Sequence, residues 1–187
     1  MSADVTELAR PVRGHFDLHT GYHGDLWLDL DALFLWPGRL RPDAEHLARY
    51  LRRFRPAAVC GPLSGGAFLA EMVAGLLGTA FLPAYPAPGG YRVPPAVRGQ
   101  IPGWRVAIVD DAINAGTAVR ATHRDLRDAG AVPVAVAALL ALGPAEAVVT
   151  RTLGLPFRAA ATLPSRTWPA ADCPLCENGT PLGPPPV

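Results

Sequence analysis

Lysine is missing altogether: every one of the 17 basic residues in this 187-residue chain is arginine. Lys and Arg are not interchangeable at a reaction centre, so any cation offered to a substrate here is a guanidinium. Together with the Ala, Gly and Pro content, this reads as a genome-wide composition bias. Cysteine is scarce, with only Cys60, Cys173 and Cys176. An odd count behind a polar N-terminus with no apolar signal core does not make a disulfide framework. No apolar run reaches the roughly 18 residues needed to cross a bilayer. Net charge is also nearly absent, at +1, which argues against an extended nucleic-acid surface. The arginines at 49, 52, 53 and 55 read as a solvated helix face. The expectation is a cytoplasmic protein with neither a membrane nor a nucleic acid as partner.

What is present is apolar residue, at half of the chain, enough for a core without staples. The length suggests a single domain over 1–187. Residues 2–10 could form a short helix, 15–18 and 25–30 read as short strands around a Gly-rich turn, and 41–53 reads as a helix. The apolar run 57–60 is a strand, followed by Gly61-Pro62-Leu63-Ser64-Gly65-Gly66 and an apolar helix, 67–77. Residues 81–84 could be a further strand. The Pro- and Gly-rich stretch 86–103 reads as a mobile loop. Strand 105–109, helix 117–129 ending at Gly130, and strand 132–142 follow, and the tail 164–187 is Pro-rich. Strands alternating with helices predict an α/β fold with a central, mainly parallel sheet flanked by helices.

The informative stretch runs from Val106 to Ala118. Four apolar residues end in Asp110-Asp111, pass through the small-residue turn Ala112-Ile113-Asn114-Ala115-Gly116, and enter a helix at Thr117. A loop feeding a helix N-terminus offers unpaired N–H groups to an anion, here best a phosphate. Gly116 permits close approach of the backbone and Thr117 adds a hydroxyl. Two acids beside a phosphate cradle make sense only if they bind something else, such as sugar hydroxyls or a hydrated Mg²⁺. The bland alternative is a helix cap with two solvated acids at a sheet edge.

The whole string resembles the diphosphoribosyl-binding signature of type I phosphoribosyltransferases, with Ala112 in place of a larger aliphatic and Asn114 in place of Thr. Gly14-His15-Phe16-Asp17-Leu18-His19-Thr20-Gly21 followed by Asp25-Leu26-Trp27-Leu28 resembles the N-terminal region of the orotate branch. Gly61–Gly66 resembles that branch's pyrophosphate loop. Pro156-Phe157-Arg158 and the tail from Cys173 to Leu182 resemble segments near the end of some bacterial members. The resemblance implies a type I fold with a small hood from the N- and C-terminal segments. It also implies transfer of ribose 5-phosphate from phosphoribosyl diphosphate to a pyrimidine nucleobase, with release of pyrophosphate, in a homodimer.

By the same resemblance, Asp110 and Asp111 would hold the ribose hydroxyls, and Asn114, Ala115, Gly116, Thr117 and Ala118 the 5-phosphate. Leu63, Ser64, Gly65 and Gly66 would hold the diphosphate with its Mg²⁺; no metal ligand of the protein's own is expected. Arg92 and Arg98 are the only cations in the 86–103 loop to serve catalysis. Leu142 stands where the family places an Arg for the orotate carboxylate, so orotate itself is expected to be a poor substrate. A second reading of the same residues is a non-catalytic or altered-substrate member that binds phosphoribosyl diphosphate or nucleotides as a regulator.

Two metal patterns stay outside this scheme. Cys173-x-x-Cys176 is half of a zinc site, and only distant histidines or a second subunit could supply the rest; the reading is two reduced thiols in a tight turn. His15, His19 and His23 would share one face of a helix. Gly14, Gly21 and Gly24 argue instead for strand and turn, so no histidine metal cluster is expected.

Overall fold

A computed structural model describes residues 5–18, 21–63 and 65–184. A short helix α1 (Val5–Leu8) leads into the hairpin β1 (Val12–Asp17) and β2 (Tyr22–Trp27), then helices α2 (Leu30–Phe34) and α3 (Pro37–Arg52). The body continues as β3 (Ala58–Pro62), α4 (Gly65–Leu77), β4 (Ala80–Ala87), β5 (Gly90–Arg92), α5 (Pro95–Arg98), β6 (Arg105–Ile113), α6 (Thr117–Asp128) and β7 (Val132–Leu142). A helical turn α7 (Ala145–Ala147) widens into a π-turn (Val148–Leu153) before β8 (Phe157–Leu163), β9 (Thr167–Pro169), a 3₁₀ turn (Ala170–Asp172) and α8 (Pro174–Glu177).

The main sheet has the order β5-β4-β3-β6-β7-β8, parallel from β4 to β8, with β5 antiparallel at one edge. The expected α/β architecture is therefore the observed one. Central strands of such a sheet are covered on both faces and read as continuous apolar runs. Alternation within β6 splits the core: Ala107 and Val109 face Leu47, Leu51, Leu69 and Val73 of α3 and α4, whereas Val106 and Ile108 face Val119 and Leu126 of α6. In α3 the buried set Leu40, Ala44, Leu47, Ala48 and Leu51 keeps helical spacing.

A second, antiparallel sheet of order β1-β2-β9 joins the two ends of the chain, as a hood built from N- and C-terminal segments requires. Gly183 bridges to Phe16, and its N–H donates to the His15 carbonyl at 2.7 Å.

Four local expectations change. The second strand stops at Trp27, because Asp29 accepts the Ala32 N–H at 3.1 Å and caps α2. Helix α3 starts earlier than residue 41, with Pro37 in its first turn, where a missing N–H costs nothing. Strand β8, which the polar Arg158 and Thr162 obscured, closes the sheet beside β7. The fourth concerns 86–103, which is no structureless loop: it contributes to the β4–β5 hairpin and α5, with Val93 and Ile101 buried.

The anchor of that segment is Asp125, buried on α6. Its carboxylate accepts the Val93 N–H at 2.8 Å and binds the Arg98 guanidinium. Removing one partner of a buried charged pair strands the other. Asp125→Ala should lower the unfolding free energy by about 3 kcal/mol, measured by chemical denaturation, with early loss of amide protection at Val93. Wild-type protection at Val93 in the variant would show that the apolar contacts alone hold the segment.

Candidate active site

Strand β6 delivers Asp110 and Asp111 to its carboxyl end, the edge where open α/β sheets bind ligands. Asp110 is 6% exposed. The Asp111 N–H donates to Asp110 Oδ1 at 3.1 Å, and the Ala112 N–H to Asp111 Oδ1 at 2.8 Å. The turn from β3 into α4 lies directly against them. A Cβ on Gly65 would overlap the Asp111 carboxylate, and one on Gly66 would overlap Asp110 Oδ1. Glycine is the residue that lets this backbone approach so closely. The two loops that sequence reading assigned to one pocket are thus in contact. Ser64, assigned to the same loop, lies outside the described residues.

Beyond the acids, the chain turns through Asn114 and Ala115 to Gly116, whose φ of 69° is left-handed, and α6 starts at Thr117. A side chain at Gly116 would also strike Val148. The first N–H groups of α6 lack intrahelical partners and face an anion's place. Asn114 Oδ1 is buried with no partner among the described residues, an acceptor that a ligand's donor would satisfy. A cavity of about 440 Å³ is lined by Asp110, residues 112–118 and Arg120, and by Leu18, Tyr22 and Thr167 from the hood side. That volume suits a small-molecule ligand.

Sequence reading missed two contributors, Arg120 and Thr167, whereas Tyr22 in the Gly-rich turn was expected near the base pocket. Arg120 sits one turn into α6, three residues after Thr117, and helical spacing could have found it. Tyr22 and Thr167 reach the pocket only because β2 pairs with β9, a contact across about three-quarters of the chain. The two loop cations are not brought to this cavity. Arg98 is committed to Asp125, and both Arg92 and Arg98 line a separate depression with Arg124 and Asp128. Neither lines the Asp110 cavity. From that segment it is Tyr91 that feels the acids: burial raises its phenol pKa, and the charges of Asp110 and Asp111 raise it further. Leu142 pairs with Leu163 and packs among the apolar side chains of the α3–α4 face, so it places no cation at the end of β7.

Burial pushes the Asp110 carboxyl well above the usual carboxylate range, and the neighbouring Asp111 charge and hydrogen bond push it further. Asp111 is also raised, chiefly by burial. Among the described residues no arginine pairs with either acid. Two adjacent oxygen donors short of positive charge suit sugar hydroxyls or a hard cation.

No family model matches the chain. Curated relatives do. The chain is 30% identical over 172 residues to orotate phosphoribosyltransferase of Thermotoga maritima, covering 91% of this chain and 88% of the relative. It is 31% identical over 174 residues to orotate phosphoribosyltransferase of Heliobacterium modesticaldum, covering 91% and 87%. Among solved structures, orotate phosphoribosyltransferase from Aeropyrum pernix superposes with a TM-score of 0.65 at 23% identity, covering 84% of this chain and 93% of that one. Both curated relatives are transferases, which favours an enzyme over a non-catalytic binding protein.

The raised carboxyl carries a thermodynamic signature. Between the unfolded value of about 3.9 and the raised folded value, the native state binds more protons than the unfolded state. Stability contributed by this group therefore falls as pH rises through that window. Asp110→Asn keeps an acceptor for the Asp111 N–H and removes the charge. Thermal unfolding should show the variant more stable than wild type at mildly alkaline pH, with the gap closing in acid. A variant less stable at alkaline pH would contradict this account of the pair.

Proposed function

Since the chain belongs to the orotate phosphoribosyltransferase family, we propose that it transfers ribose 5-phosphate from phosphoribosyl diphosphate to a pyrimidine nucleobase and releases pyrophosphate. The observation that carries this reading is the contact of Asp110 and Asp111 with Gly65 and Gly66 beside the Gly116–Thr117 helix start. The acids would hold the two ribose hydroxyls, and residues 114–118 with Arg120 the 5-phosphate. Backbone from Leu63 to Gly66 would hold the diphosphate. Mg²⁺ would come with that diphosphate and supply charge neutralisation to the leaving group; the uncompensated carboxylates and the close glycine backbone fit its demand for oxygen ligands and room.

The transition state gathers positive charge on the sugar as the diphosphate departs. Buried carboxylates below the sugar ring would stabilise that charge, and fixed hydroxyl contacts would keep the ring aligned for attack by the base nitrogen. We place the protein in the cytoplasm as a homodimer. An apolar groove of about 550 Å³, with Phe34, Phe68, Met72, Phe81 and Tyr85 in its lining, is the surface a second copy would cover, and sedimentation tests the mass.

Purified protein with Mg²⁺–phosphoribosyl diphosphate should turn over a base, and Asp110→Asn with Asp111→Asn should lower kcat/KM about a hundredfold or more. Within the base panel, uracil should compete with or exceed orotate. A carboxylate without a charged partner forgoes roughly 1.5–3 kcal/mol, one to two powers of ten in rate. Leu142 offers no such partner. Turnover of orotate well above uracil would place a carboxylate-binding cation elsewhere, and no turnover of any base would overturn the enzyme reading.

A further inference from the structure

Four side chains that the reaction does not use converge at the other end of the hood. His15, His23, Cys173 and Cys176 each present a ligand atom, and these atoms all lie within 4.8 Å of one another. We propose that they form a tetrahedral zinc site that fastens the C-terminal tail to the N-terminal hairpin.

The spacing of the ligand atoms is that of donors around one four-coordinate ion. His15 Nε2 and His23 Nδ1 are 3.1 Å apart. His15 Nε2 is 3.4 Å from Cys173 Sγ and 3.7 Å from Cys176 Sγ, and His23 Nδ1 is 3.3 Å from Cys176 Sγ. Zinc bonds of about 2.0–2.1 Å to nitrogen and about 2.3 Å to sulfur give tetrahedral edges of about 3.4 Å for N···N and about 3.6 Å for N···S. The observed edges fall around those values. Two nitrogen and two sulfur donors in that arrangement select zinc over the hard cations that oxygen ligands hold.

The surroundings fit a ligand set as well. His15 Nδ1 lies 2.9 Å from the Thr180 carbonyl. A carbonyl can only accept, so the ring proton sits on Nδ1 and the Nε2 lone pair points into the cluster, the usual way a ligating histidine is oriented. Cys173 precedes α8, whose single turn brings Cys176 back beside it, with the Glu177 N–H donating to the Cys173 carbonyl at 3.1 Å. The hairpin brings the histidines together: Asp17 pairs with His23 and Phe16 with Gly24, so His15 and His23 are diagonal neighbours, ring centroids 5.0 Å apart. That juxtaposition gives the two thiols, read from the sequence as reduced and in a tight turn, a pair of histidine neighbours. His19 lies outside the described residues.

A further observation gives the site a purpose. Between residues 164 and 184, Cys173 is the one buried residue. The tail has no apolar core of its own, and small units of that kind are commonly held by a metal. Binding would release the two thiol protons and leave a neutral site of one divalent ion with two thiolates, so nothing charged is buried without compensation. Because β2 and β9 also supply Tyr22 and Thr167 to the nucleotide cavity, the same ion would set the position of that wall.

The test is the metal content of the full chain, purified under reductant and reconstituted with zinc. Elemental analysis and native mass spectrometry should find about one zinc per chain. Cys176→Ser, at an exposed position and checked by circular dichroism, should lose most of it, as should His23→Ala. Cobalt in place of zinc should give the intense visible absorption of tetrahedral thiolate coordination, and a chelator should lower the melting temperature of wild type but not of Cys176→Ser. Reconstituted wild type without zinc while both thiols titrate as free would overturn the proposal. So would a Cys173–Cys176 disulfide in place of the ion, or a folded Cys173→Ser/Cys176→Ser variant that holds zinc like wild type. None of these readouts depends on transferase activity, so they stand apart from the fate of the catalytic reading.

Discussion

A buried carboxylate beside a half-buried one, with no cation among the described residues to balance them, is the constraint around which this molecule is arranged. A buried charge without a partner is costly, and a pair of like charges more so. The fold tolerates the pair because β6 is central and well packed below it, with Val106 to Val109 fully buried. The local backbone N–H groups of Asp111 and Ala112 take up one oxygen of each acid. What remains is a deficit of positive charge at the mouth of the sheet, against a backbone stripped of side chains at Gly65 and Gly66. Such a site is stabilised by what it binds, which is how stability given up in the free protein becomes affinity and alignment.

The distance over which each signal acts decides what the sequence discloses. The Val106–Thr117 string is local: apolar strand, two acids, glycine turn and helix start are contiguous, and each residue type has one physical reason to be there. Strand β7 is equally legible, because eleven residues with almost no polar interruption have few other fates. In the segment 86–103 prolines and glycines announce a loop, while the feature that ties it to the body, the Asp125 carboxylate, lies some thirty residues downstream in a helix. Nothing near Val93 or Arg98 reveals that partner. Arg98 looked available for catalysis for the same reason.

The metal cluster is the extreme case. Cys173-x-x-Cys176 shows half a site, and the other half lies 158 residues away. The histidine spacing of four suggested a helix face, whereas the real arrangement is diagonal across a hairpin whose turn residues argue against a helix. The pairing of β2 with β9 and the bridge from Gly183 to Phe16 put the halves together.

That pairing also ties the hood to the choice of base. The main sheet fixes the acids, the phosphate loop and the close glycine backbone through its central strands β3 and β6, whose apolar runs are buried. The opposite wall, with Tyr22 and Thr167, rests on a three-stranded sheet whose last strand belongs to a tail almost without apolar burial. The two halves of the cavity thus differ in what holds them. A wall secured by few contacts can change without disturbing the sugar-phosphate half, and selectivity for the base can drift while the diphosphate chemistry stays fixed. On the proposed reading, with Leu142 packed against the core and Arg120 given to the phosphate, discrimination among bases would fall to the hood.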